Sequence, residues 1–215
     1  MKQGEPVCQT KQGSARALSL ALSLRDRLTQ LHSERVLGLS ALIGRRCALE
    51  PAAMAVLRLA ACFHDIGKIG VPDHILLKPA RFDPEEWDVM KGHAEMGQRI
   101  IAETGLAGAD EAARVIRHHH EHYDGSGYPD GLAGEAIPFC SRIISIADSY
   151  DAMAESRPYH PLRSHSQIMD ILQQESGGKH DPDLMRLFCQ LIESSDFKPH
   201  ALYPSAEGRE TGLLP

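Results

Sequence analysis

Apolar residues recur at three- and four-residue steps along most of this chain, and no stretch alternates convincingly at period two. Steps of that size place side chains on one helix face, so the pattern predicts an all-α domain. The first helical stretch is expected from Ser14, on Leu18 and Leu22, continuing with a break through Val36, Leu39 and Ile43 to about Arg46. Pro51 opens the next helix, because proline suits the first helical position. Ala53, Val56, Leu57, Ala60 and Ala61 make that helix largely buried, and Gly67 and Gly70 stop it. Val71 to Leu77 reads as a connecting loop. Asp83-Pro84-Glu85-Glu86 is a helix start with a capping aspartate and a glutamate where a capping box needs one. The helical region after it carries His93, Met96, Ile100 and Ile101. Gly105 and Gly108 break the pattern before a helix from about Asp110, with Ala113 and Ile116 facing a core, that ends in His118-His119-His120-Glu121-His122.

Residues 124–131 then form a loop whose three glycines leave room for a ligand to approach the backbone. After Pro138 comes a strongly apolar helix that nevertheless carries Asp148 and Asp151; Arg157-Pro158-Tyr159-His160-Pro161 ends it. Helices near 164–175 and 181–195 complete the domain. Residues 1–13 read as a flexible N-terminal segment, 14–196 as the domain, and 197–215 as an irregular tail.

Composition narrows the function. A net charge of −6 provides no general basic surface, so DNA and RNA are not expected partners. No apolar run approaches the length of a membrane span, and Met1 to Gly13 lacks the apolar segment of a signal peptide. Five scattered cysteines without Cys-x-x-Cys spacing suggest a reducing cytoplasm rather than a disulfide framework. Twelve histidines are many for this length.

The histidines and two acids fall at telling places. His32, His64-Asp65, His93, His119-His120 and Asp148 each lie within or at the end of an expected helix, which is how helical bundles build interior metal sites. Imidazole and carboxylate suit Fe, Mn, Ni or Zn. Neighbouring side chains on a helix diverge by about 100°, so His64 could serve one ion while Asp65 bridges two. Asp148 stands on a helix otherwise too apolar to be solvated, and a buried carboxylate needs a cation or strong donors. Its bland alternative is a salt bridge to an arginine. The bland alternative for His32 is a solvated helix residue, and for the histidine run a solvated helix end.

At this point the residues resemble a known family, the HD-GYP branch of the HD metal-dependent phosphohydrolases. The matching pieces are His32-Ser-Glu-Arg35-Val36, His64-Asp65-Ile-Gly-Lys68-Ile-Gly, His93, His119-His120-Glu121, Asp124-Gly-Ser-Gly127-Tyr128-Pro129, Ile146-Ala-Asp148-Ser-Tyr-Asp151 and Arg157-Pro-Tyr159. The resemblance implies a multi-helix HD-type bundle with a dinuclear metal site in its interior, residues 14–196 being the HD-GYP domain. It implies hydrolysis of cyclic di-GMP to the linear dinucleotide pGpG, with the choice between stopping there and continuing to GMP left open. His32, His64, Asp65 and Asp148 would hold one divalent ion. Asp65 would bridge to a second ion completed by His93, His119 and His120. Iron is the first expectation, with manganese or nickel fitting the same ligands. Lys68 would face the scissile phosphate and donate a proton to the leaving oxygen; Gly127, Tyr128 and Pro129 would shape the substrate pocket, and Arg157 would bind phosphate. Some relatives hold a third metal on a glutamate four residues before the first ligand histidine. Leu28 stands there and cannot coordinate, so two ions are expected. Two other functions stay open: hydrolysis of another nucleotide such as cyclic GMP-AMP, and a silent interaction module. Regulation would come from a protein partner, from metal or redox state, or from expression level, and apolar faces on the first helix could pair in a homodimer.

Overall fold

The computed structural model describes residues 7–154 and 163–198. Arg157, Tyr159 and His160 lie outside them, as does the tail beyond Lys198. Among the described residues ten α-helices succeed one another: α1 (Val7–Arg25), α2 (Arg27–Arg46), α3 (Pro51–Phe63), the single turn α4 (Asp73–Leu76), α5 (Pro84–Lys91), α6 (His93–Ala102), α7 (Ala109–Arg117), α8 (Phe139–Ala154), α9 (His165–Gln174) and α10 (Pro182–Ile192). Among the described residues there is no strand, only an isolated bridge between Ser176 and His180. No described helix is long and apolar enough to cross a membrane.

The core is built where α2, α3, α7 and α8 meet. Leu39, Ile43, Leu57, Ile116, Ile143 and Ile144 are fully buried there. Each comes from a three- or four-residue apolar step, so burial of one face is what holds the bundle. Phe197 closes the far side by packing its ring against Gly38, where a side chain would overlap it.

Several boundaries differ from the sequence reading. Residues 7–13 are helical: α1 begins at Val7, although Gln9, Lys11 and Gln12 give no apolar period to see. Such straight-chain polar residues favour helix without an amphipathic face. The long first stretch breaks at Asp26, whose carboxylate accepts the N–H groups of Leu28 and Thr29 and starts α2. Val71 to Leu77 contains the one-turn α4, which buries Ile75 with Val71 and Met90 in a small separate cluster. The expected capping box is present in full: Glu86 N–H donates to Asp83, and Asp83 N–H to Glu86.

One contact positions the site. Between α3 and α4 the chain makes a tight turn over Ile66–Gly70 that lies directly on α6. A Cβ at Gly67 would fall 1.9 Å from the His93 carbonyl oxygen and 2.6 Å from the Gly97 nitrogen. Backbone therefore touches backbone there, and Asp65 is brought beside His93.

Candidate metal centre

His64 caps α3, His93 opens α6, and His119 follows the end of α7. All three use their local backbone identically: Nδ1–H donates to the carbonyl three residues earlier, Ala61 at 2.9 Å, Met90 at 2.7 Å and Ile116 at 2.6 Å. That bond fixes the tautomer and leaves each Nε2 as a lone pair aimed inward. Nε2 of His64 and of His119 are buried without a hydrogen-bond partner. An unpaired buried acceptor is costly, and a cation is the group these nitrogens fit.

The ligand atoms gather in two triads, each with its atoms within 4.8 Å of one another: His93, His119 and His120, and His32, His64 and Asp148. Asp65 stands between them. Its Oδ1 is 3.5 Å from His93 Nε2, while its Oδ2 is 3.5 Å from His64 Nε2 and 3.9 Å from His32 Nε2. One carboxylate oxygen thus faces each triad, and the donor set of imidazoles and carboxylates suits divalent transition metals. Leu28 is 64% exposed on the outside of α2 and offers nothing to this cavity.

Charge is arranged to match. Burial, followed by neighbouring His64 and His93, pushes the His119 pKa down to about 3; burial also lowers His93 and His120. These imidazoles stay neutral at physiological pH, as metal ligands must. His32 behaves oppositely. Burial would lower it, but its hydrogen bonds to Asp148 and Asp151 win and raise it to about 10. A proton on His32 and a cation beside Asp148 are alternative ways of balancing the same carboxylate. Burial alone would raise Asp65, yet Lys68, His64 and His93 hold it well below the usual carboxylate range.

These shifts set a pH prediction. His119 titrates at about 6.5 unfolded and about 3 folded, so the unfolded chain binds more protons in between. Its contribution is complete above pH 6.5 and is lost as pH falls toward 3. Urea unfolding of chelator-treated protein is expected to show falling stability from pH 7 to pH 4, and His119→Gln to flatten that fall.

Asp148 meets His32 Nε2 at 2.9 Å. An arginine salt bridge goes to Asp151, which accepts Arg35 Nε and Nη2 at 2.8 and 2.9 Å and His32 Nδ1 at 2.7 Å. Asp151 thereby orients a candidate ligand without reaching a metal itself, a role the sequence reading did not assign. The available signal was spacing: Asp148 and Asp151 are three apart on an apolar helix and share a face. Asp151→Asn is expected to weaken metal binding about 10- to 100-fold with little loss of fold, the usual consequence of removing a ligand's orienting partner; titration with Mn(II) checks it.

Lys68 Nζ lies 2.6 Å from Asp65 Oδ2, and its side chain is 24% exposed. Tyr128 leans over His120, ring centroids 4.9 Å apart. Burial, then the charges of Asp148 and Asp65, raise its phenol pKa, so it keeps its proton. Glu121 holds the loop that carries it, accepting the N–H groups of Asp130 at 2.8 Å and Leu132 at 3.1 Å. Gly127 sits where a Cβ would lie 2.1 Å from His122 nitrogen. Of the histidine run, only His119 and His120 enter the cavity. His118 pairs with Asp130 at 2.9 Å, and His122 bonds Ser126 at 2.9 Å.

Residues 16–184 match the family model described as HD domain, and the chain belongs to that family. Its relatives extend this to the HD-GYP branch. It is 37% identical over 174 residues to a cyclic di-GMP phosphodiesterase of Thermotoga maritima, covering 81% of this chain and 47% of that protein. A cyclic di-GMP phosphodiesterase response regulator of Xanthomonas campestris is 36% identical, covering 77% of this chain and 44% of its own length. A 3′3′-cGAMP-specific phosphodiesterase of Vibrio cholerae is 34% identical, over 80% of this chain and 33% of that protein. The chain thus spans about half or less of the length of these relatives. In fold it resembles an HDG"Y"P protein of Bdellovibrio bacteriovorus, with a TM-score of 0.61 at 17% identity over 85% of this chain and 62% of that one.

Proposed function

We propose that this chain is a metal-dependent phosphodiesterase that opens cyclic di-GMP to linear pGpG and continues to GMP. The observation that carries this is Asp65, with one carboxylate oxygen toward each of two triads and buried, unpaired imidazole nitrogens on both sides. The residues fit two ions: His32, His64, Asp65 and Asp148 for one, and Asp65, His93, His119 and His120 for the other. Iron is favoured, and manganese or nickel suits the same ligands. When bound, such ions lower the pKa of a water and neutralise charge on the phosphate.

The chain's own groups do the rest. Lys68 contacts a phosphate oxygen and protonates the departing 3′-oxygen as the P–O3′ bond breaks; water's oxygen bonds to phosphorus, one of its protons staying on the new phosphate and the other returning Lys68 to its charged form. Tyr128, with Gly127 and Pro129, forms the wall beside His120. Arg157 belongs to this reading as a further phosphate contact. The reading also includes cytoplasmic placement, a regulatory protein partner, and a homodimer covering Leu20 and Leu24, which are exposed on α1.

The second reading, cyclic GMP-AMP as substrate, draws support from the Vibrio cholerae relative named for that ligand. The triads act on the phosphodiester, not the base, so a competition assay separates the two. With both dinucleotides present, cyclic di-GMP should disappear first; exclusive consumption of cyclic GMP-AMP would overturn the assignment.

A further inference from the structure

A line of aromatic rings leads outward from the metal centre. His120 packs on Tyr128, whose ring meets Trp87 edge-on, with centroids 6.2 Å apart and planes at 82°. Trp87 in turn lies nearly parallel to Phe82, with centroids 6.2 Å apart and planes at 22°. Trp87 remains 44% exposed although Met90, on the same helix, is buried in the small cluster with Val71 and Ile75. The capping box fixes the helix start three residues before it, so the indole is presented from a rigid base.

We propose that Trp87 is a stacking platform for one purine base of the cyclic dinucleotide, and so a substrate-positioning residue of this site. The proposal rests on the cyclic-dinucleotide reading above. A base is joined to its phosphate through one sugar. A phosphodiester held at Lys68 and the triads therefore carries its base along the Tyr128 side, toward the exposed indole. Every base has a π-face, so stacking gives affinity without reading base identity. Trp87 thus strengthens binding of cyclic di-GMP and cyclic GMP-AMP alike, while choice between them lies elsewhere.

Stacking on an aromatic side chain contributes about 1–3 kcal/mol per base, or roughly 5- to 150-fold in affinity. In metal-loaded, full-length protein, Trp87→Ala should raise KM for cyclic di-GMP by that factor with kcat within about twofold, and Trp87→Phe should restore most of it. The thermal midpoint of Trp87→Ala should be nearly unchanged, since the ring is half exposed. Trp87 is the chain's one tryptophan, so its fluorescence reports the contact directly. A hydrolysis-resistant phosphorothioate analogue of cyclic di-GMP should quench it saturably. Normal turnover with unmoved fluorescence, and an unchanged KM in Trp87→Ala, would overturn the platform alone. Hydrolysis of bis(p-nitrophenyl) phosphate with no binding or cleavage of either cyclic dinucleotide would overturn the underlying reading and the platform with it.

Discussion

Replacing His64 and Asp65 together by alanine is expected to remove metal binding and to lower cyclic di-GMP turnover by at least about a thousandfold, equivalent to about 4 kcal/mol of transition-state stabilisation. The size follows from position. Asp65 is buried within 4 Å of His32, His64, His93 and Lys68, so the three that remain, His32, His93 and Lys68, lose a shared counter-charge at once. His64 brings one of the two Nε2 atoms in the triads that are buried without a hydrogen-bond partner, the other being that of His119. Neither side chain contributes to the apolar contacts among Leu39, Leu57, Ile116 and Ile143, so the far-ultraviolet circular dichroism should remain helical. Metal analysis and turnover on the same preparation check this; two ions retained per chain would refute the assignment of both ligands.

Among the described glycines, Gly67→Ala should be the most damaging single added methyl. The added carbon would sit 1.9 Å from a carbonyl oxygen and 2.6 Å from a backbone nitrogen of α6, and neither can rotate away. The turn must lift, at a cost of about 1–3 kcal/mol or more, or roughly 2–12 °C in thermal midpoint for a domain of this size. Lifting it draws Asp65 away from His93. A displacement of about 1 Å can reduce rate roughly a hundredfold, so activity should fall further than stability does. Gly70→Ala, three residues on in the same turn, is the control. Its Cβ would meet the sulfur of Met96, a flexible side chain that can move, so stability and rate should change much less.

Five candidate ligands were legible because the local pattern marks their places: His64 and Asp65 at a helix end before glycine, His119 and His120 at another helix end, and Asp148 in an apolar helix; His32 and His93 lie inside expected helical stretches, and only the family resemblance gave them ligand roles. The all-α bundle was legible for the same reason, since its core residues fall at helical steps. What joins the ligands was not legible. His32 and Asp151 are 119 residues apart, and no local periodicity encodes their 2.7 Å hydrogen bond. The backbone contact of Gly67 on α6 is similarly tertiary: the glycine read as a helix stop, whereas its missing side chain is what allows Asp65 to approach His93. Glu121 could be read only as part of a motif, and its function, holding two N–H groups of the loop beyond it, depends on that loop folding back. The start of α1 escaped because Gln9, Lys11 and Gln12 give no apolar period to see.

The central claim is that the two triads around Asp65 hold a pair of ions that makes this chain a cyclic di-GMP hydrolase. The most direct test is anaerobic reconstitution with Fe(II) and separately with Mn(II), counting bound metal and chromatographing the products from cyclic di-GMP in the same samples. Two ions per chain, with pGpG or GMP formed by at least one metal form and lost in the His64→Ala plus Asp65→Ala variant, is the predicted result. Two ions per chain with cyclic di-GMP left intact under both metals would contradict it.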